Sequence, residues 1–139
     1  MSNMIPDTHK VLFEKPILAS LATIMPDGKL QVNPVWCDFD GTHVRVNAAQ
    51  GRQKDKNLQE RRFATVLLVD PENAYFWIEV RGRVEEATTE GADEHIAKLA
   101  KKYLGQDKYT PGNENEVRVM YKIKAERVVK RPPPYPSHL

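Results

Sequence analysis

Hydrophobic and polar positions alternate with a period of two over much of this chain and change to helical spacing in three stretches. Near the start, Pro6 and Asp7 precede the apolar residues Leu12 and Phe13. Proline is tolerated in a first turn and an acid suits a helix start, so a short helix is predicted within residues 1–16, ended by Pro16. Residues 17–25 form an apolar run of strand length, and Pro26-Asp27-Gly28-Lys29 supplies a turn in which proline presets φ and glycine permits positive φ. A second strand is predicted over 30–39, with Leu30, Val32 and Trp36 on one face and Gln31, Asn33, Val35 and Cys37 on the other. Asp40-Gly41 turns the chain into a third strand, 42–47, where Val44 and Val46 oppose His43, Arg45 and Asn47.

From Gly51 the pattern becomes helical, and good helix formers without a β-branched residue predict a helix over 52–61. Residues 63–70 are apolar nearly throughout, as in a strand buried on both faces. Pro71-Glu72-Asn73 leads into a long fifth strand, 75–86, interrupted by Gly82, where a bulge or sharp bend is expected. Thr89 is placed to cap a helix over 90–104, and Gly105 to end it in left-handed geometry. Val117, Val119, Tyr121, Ile123 and Ala125 alternate as a sixth strand, before a proline-rich tail at 132–139.

Hairpin-joined strands with few helices predict a mainly β fold, a six-stranded antiparallel split barrel with attached α-helices. No repeat or linker divides the 139 residues, so one split-barrel domain over 1–139 is expected. Tyr75 and Trp77 beside an apolar first strand would leave a large patch on a monomer, which predicts a homodimer.

Composition narrows the chemistry. No apolar run approaches the roughly 20 residues needed to cross a bilayer, so no membrane partner is expected. The N-terminus lacks a basic start followed by an apolar stretch, and a cytoplasmic location is the expectation. Cys37 is the only cysteine, which excludes an internal disulfide and a thiolate-rich metal site within one chain. His9, His43, His95 and His138 show no ligand spacing, so no metal is expected. Ser2, Ser20 and Ser137 lack a nucleophile-elbow context, and adjacent Glu85 and Glu86 would point to opposite faces of a strand. No catalytic side chain is indicated.

A net charge of +2 is low for a chain whose main partner is nucleic acid. The positive charge is nonetheless local. Residues 51–62 hold Arg52, Lys54, Lys56, Arg61 and Arg62 against two acids, and residues 118–131 hold a second basic zone that begins at Arg118. Such zones suit a small anionic ligand at least as well as a polymer. The segment from Asn47 and Ala48 through Gly51 to Asn57 combines a strand end, a glycine turn and a cationic helix start. A phosphate is bound by unpaired N–H groups, a helix N-terminus and cations, which makes Arg52 and Lys54 the best candidates. A solvated basic helix would carry the same residues. In Gln31-Val-Asn-Pro-Val-Trp, Pro34 cannot donate to a ladder, so it marks an edge or irregular point where Gln31 and Asn33 could face a ligand; an ordinary edge strand also fits.

Taken with Leu21-Ala-Thr-Ile-Met-Pro-Asp-Gly and Val80-Arg-Gly-Arg-Val, these segments resemble the pyridoxamine-phosphate-oxidase-like split-barrel superfamily, especially its small deazaflavin-dependent branch. The likeness spans nearly the whole chain. It implies a homodimer with two cofactor sites at the subunit interface, the phosphate on Arg52 and Lys54, the ring against Gln31, Asn33, Pro34 and Val35, and Trp77 approaching from the partner chain. Where the family often has a Ser or Thr pair this chain reads Asn47-Ala48-Ala49, so backbone N–H groups and the Asn47 amide would replace hydroxyls there, with Asn57 closing the segment. The implied cofactor is the deazaflavin coenzyme F420, whose reduced form gives a hydride to an unsaturated small-molecule substrate, with FMN as the alternative. A non-catalytic flavin or deazaflavin carrier or sensor is the competing reading. A nucleic-acid-binding barrel is disfavoured by the scarcity of strand-face aromatics near the basic zones.

Overall fold

The computed structural model describes residues 4–131; the first three residues and the tail at 132–139, with Ser2, Ser137 and His138, lie outside the described residues. Seven strands are present: β1 (Ala19–Ile24), β2 (Leu30–Val35), β3 (Cys37–Phe39), β4 (Val44–Ala49), β5 (Phe63–Asp70), β6 (Asn73–Thr88) and β7 (Arg118–Lys130). They form one sheet in the order β2-β1-β5-β6-β7-β4-β3, with every pairing antiparallel.

The count is seven rather than six because the strand expected over 30–39 is two. Val35 in β2 pairs with Ala19 of β1, while Cys37 in β3 pairs with Val46 of β4. Only Trp36 separates them, yet β2 and β3 are the opposite edges of the sheet. The sheet must therefore curl until its two edges meet at this residue, which produces the split barrel. The corner is fastened by helix α3 (Ala92–Leu104): Tyr103 stacks on Trp36 with ring centroids 5.3 Å apart, its hydroxyl donates to the Ile17 carbonyl at 2.7 Å, and it accepts the Cys37 N–H at 3.1 Å. The Lys102 ammonium donates to the carbonyls of Phe13 and Cys37.

Gly82 sits where the β6–β7 register shifts. A Cβ there would lie 2.3 Å from the Lys124 carbonyl oxygen, so only glycine allows the two strands to approach at the bend. The interior is filled by alternate residues of these strands, including Leu21, Val46, Val66, Leu68, Val80 and Ile123. Each such side chain contributes about 1.5–3 kcal/mol by leaving water. In β5 the alternation is one-sided: Ala64, Val66 and Leu68 are buried, whereas Phe63 and Val69 are exposed. This differs from the expected burial on both faces: among the described residues no layer covers the outward face of β5 at Phe63 and Val69.

The predicted N-terminal helix is a single 3₁₀ turn, Asp7–His9, followed by α1 (Val11–Glu14), which buries Leu12 and Phe13. Helix α2 (Gln53–Glu60) follows β4 as predicted and buries Leu58 completely. Helix α3 starts at Ala92 with Gly91, not Thr89, as its left-handed N-cap; the Thr89 carbonyl instead accepts the Ala92 N–H at 3.2 Å. Among the described residues, no helix is long and apolar enough to cross a membrane.

Candidate functional site

The carboxyl end of β4 and the amino end of β7 are paired, with Ala49 opposite Arg118, and the Gln50 N–H donates to the Val117 carbonyl at 2.7 Å. The chain then turns at Gly51, whose φ of 92° is open to glycine. The Gly51 N–H donates to Asp55 Oδ2 at 2.9 Å, and α2 begins with Arg52 as its N-cap. This turn sets Arg52 and Lys54 beside Arg118. Together with Asn47 and Tyr109 they are the polar lining of a cleft of about 280 Å³. The rest of the lining is apolar: Leu18, Pro34, Val35, Trp36 and Ile96.

The polar side is electrostatically unbalanced. Burial, then the nearby Arg52 and Arg118 guanidinium groups, push the half-buried Lys54 ammonium below its ordinary pKa. Among the described residues neither Arg52 nor Lys54 forms an ion pair. Arg52 and Lys54, two like charges without an ion-pair partner of their own beside an Arg118 that is paired with Glu116, are unfavourable in the isolated protein and favourable once an anion is bound. The cleft thus joins an anion-binding end to an apolar wall suited to a flat ring.

Arg118 is held on several sides. Its Nε–H donates to Asn47 Oδ1 at 2.8 Å, its Nη1 donates to Glu116 Oε2 and to the Tyr109 hydroxyl at 3.2 Å each, and the guanidinium lies 5.0 Å from the Tyr109 ring centre. The Tyr109 hydroxyl donates to Glu116 Oε2 at 2.7 Å. Burial pushes the Glu116 carboxyl up, but the bonds from Tyr109, the Gly112 N–H and Arg118 outweigh it and leave its pKa lowered. Beneath Asn47 lie His95 and Asp38, both buried; Asp38 receives two bonds from Arg45, at 2.9 and 2.8 Å.

Of the residues expected from the sequence, Pro34, Val35, Asn47, Arg52 and Lys54 come together at this cleft. Ala48 does not: its side chain belongs to the buried core with Val44 and Val46, because β4 alternates. Asn57 is fully buried and structural. Its Nδ2 donates to Thr23 Oγ1 at 3.0 Å, and its Oδ1 accepts from Gln53 Nε2 at 2.8 Å and Arg61 Nη2 at 3.1 Å. Gln31 lies within 3.4 Å of Asn57 Nδ2; Gln31 and Asn33 share the face of Val35 but run away from the cleft along β2. Trp77 stands on the outer face with Leu67 and Val69, where it lines a separate, mostly apolar hollow of about 420 Å³.

Arg118, Tyr109, Trp36, Ile96 and Leu18 were not expected at the site. Arg118 belonged to a recognised basic zone, but only the register that puts it opposite Ala49 separates it from the lysines of the same strand.

A family model described as pyridoxamine 5'-phosphate oxidase matches residues 5–131. Among solved structures, the chain is similar to an F420 reductase at 29% identity and a TM-score of 0.78, over 90% of this chain and 98% of that one. It is also similar to HupZ of Group A Streptococcus, at 24% identity and a TM-score of 0.65 over 90% and 92% of the two chains. A Listeria innocua protein named as a candidate pyridoxamine 5'-phosphate oxidase matches at 17% identity and a TM-score of 0.66, over 88% and 94%. The last two likenesses show the shared fold. No curated protein matched the chain.

Proposed function

The chain belongs to the pyridoxamine 5'-phosphate oxidase family, and from that premise we propose that it is a cofactor-dependent oxidoreductase that binds coenzyme F420, with FMN as the alternative, in the cleft between β2, β4, α2 and β7. The observation that carries this reading is the half-buried Lys54 crowded by Arg52 and Arg118 in a cleft that it shares with the apolar Pro34, Val35 and Trp36. A phosphate-bearing ring cofactor has complementary parts, an anion and a flat apolar body. The likeness to an F420 reductase supports the deazaflavin over the flavin.

When bound, such a cofactor supplies the hydride chemistry, while the protein binds, orients and excludes water. Arg52, Lys54 and Arg118 hold the anionic end, with the N-terminus of α2 adding N–H groups. Pro34, Val35 and Trp36 back the ring. Lys54 is engaged with the anion in this reading and the Tyr109 hydroxyl is donated to Glu116, so no protein acid or base is assigned.

The functional unit in this proposal is a homodimer. Leu30, Val32, Phe63 and Val69 are exposed on the outer face of β2 and β5, and Trp77 lies on the same side of the sheet. A partner docked there would cover the patch, and its Trp77 would close the open side of the cleft. Turnover separates an enzyme from a carrier. Mixing the protein with the reduced coenzyme and a panel of activated alkenes and quinones should give substrate-dependent oxidation of the coenzyme; binding without oxidation by any acceptor would favour the carrier.

A further inference from the structure

Asn47 was expected to touch the cofactor, yet its three polar contacts are all made within the chain. Its Nδ2 donates to the Ala92 carbonyl at 3.0 Å and faces His95 Nδ1 at 3.1 Å, while its Oδ1 accepts from Arg118 Nε at 2.8 Å. The chemistry of the partners fixes which way the amide points. A carbonyl can only accept and an Arg Nε–H can only donate, so Nδ2 must face Ala92 and Oδ1 must face Arg118. His95 Nδ1 is then opposite a donor and must be an acceptor without a proton. The ring proton belongs on Nε2, which lies 3.2 Å from Asp38 Oδ1. Asp38 is itself held by the two Arg45 bonds, with Lys98 4.0 Å from its other oxygen.

From this geometry we infer that His95, in its Nε2–H form, is a positioning residue for the anion end of the cleft. The chain runs Asp38, His95, Asn47, Arg118, and each donor in it has one acceptor. Asp38 sets the tautomer of His95, His95 fixes the second hydrogen of the Asn47 amide, and that amide aims Arg118 into the cleft. His95 is 3% exposed and touches no ligand; it acts through Asn47 and Arg118. The inference rests on the cleft being the cofactor site.

Two substitutions separate this role from simple packing. His95→Asn keeps an acceptor where Nδ1 stands and loses the bond to Asp38. His95→Gln keeps a donor toward Asp38 and leaves nothing to accept from Asn47. Binding of FMN and of coenzyme F420 is measured by fluorescence titration, and melting temperature is measured alongside. His95→Gln should weaken binding about tenfold, the loss of roughly one well-made bond's worth of alignment, whereas His95→Asn should stay within about threefold of wild type although both melt lower. Equal losses of affinity in the two variants, or wild-type affinity in His95→Gln, would overturn the inference while leaving the cofactor reading intact. Failure of the wild type to bind either probe would overturn both. Should either variant not fold, a long-range ¹H–¹⁵N spectrum of the wild type decides: Nδ1 unprotonated and Nε2 protonated is expected, and the opposite tautomer overturns the chain.

Discussion

The buried hydroxyl of Tyr121, on β7, donates to the carboxylate of Asp55 in the first turn of α2. The other oxygen of that carboxylate accepts the Gly51 N–H at 2.9 Å. One carboxylate therefore ties the barrel wall to the turn that presents Arg52 and Lys54. Tyr121→Phe removes the hydroxyl with little change in volume. It should lower stability by about 1.5–3 kcal/mol, as for a buried hydrogen bond to a charged group, and loosen the turn enough to weaken anion binding. Denaturant unfolding and cofactor titration on the same variant check both effects.

Lys54 should show function and stability in opposition. Lys54→Ala removes a charge-assisted bond to the cofactor and should weaken binding by about 1.5–3 kcal/mol. It also relieves the burial and the cationic crowding that lower the Lys54 pKa, so the cofactor-free variant should melt no lower than wild type. Paired titration and thermal melts read the two directions. Unchanged affinity would remove Lys54 from the site.

Asp38 gives a pH dependence of defined sign. Burial raises its pKa, but the bonds from His95 and Arg45 outweigh burial and hold it well below the ordinary value of 3.8. As pH falls, the unfolded chain takes up the proton first, so Asp38 contributes its full stability above about pH 5 and loses it progressively below about pH 4. Asp38→Asn should cost about 3 kcal/mol at neutral pH, since Arg45 loses both charged bonds and keeps only the Asp40 carboxylate 4.0 Å away, and should flatten the acid limb of the stability curve. Urea midpoints measured from pH 7 down to pH 2.5 test this.

Val32 is 59% exposed on β2 and tests the proposed subunit interface. Val32→Glu should change the stability of the single chain by no more than about 0.5 kcal/mol, as for an ordinary surface site. It should nevertheless shift sedimentation equilibrium from dimer toward monomer and weaken cofactor binding in proportion. A variant that sediments as wild type would move the interface elsewhere.

Much of the barrel was legible because alternation, turn residues and Gly82 report local geometry. The split at Trp36 was not legible: Val35 and Cys37 continue one alternation, and nothing local tells that their partners lie at opposite edges of the sheet. The site divides the same way. Arg52 and Lys54 follow from a glycine turn and a helix start, both local signals. Arg118 and Tyr109 arrive through long-range register and a polar loop, and Asn57 looked available because its partner Thr23 is contributed by β1, 34 residues away. Asn47 lines the cleft, but Ala92, His95 and Arg118, which engage every polar atom of its side chain, come from α3 and β7 and leave no local signal beside it.

The most direct test of the account is a fluorescence titration of the purified protein with coenzyme F420 and, separately, with FMN, each repeated with Arg118→Ala. Micromolar or tighter binding of the deazaflavin by wild type, weakened at least about tenfold in the variant, is the predicted result. No binding of either cofactor by wild type, or binding indifferent to Arg118, would contradict the assignment of this cleft.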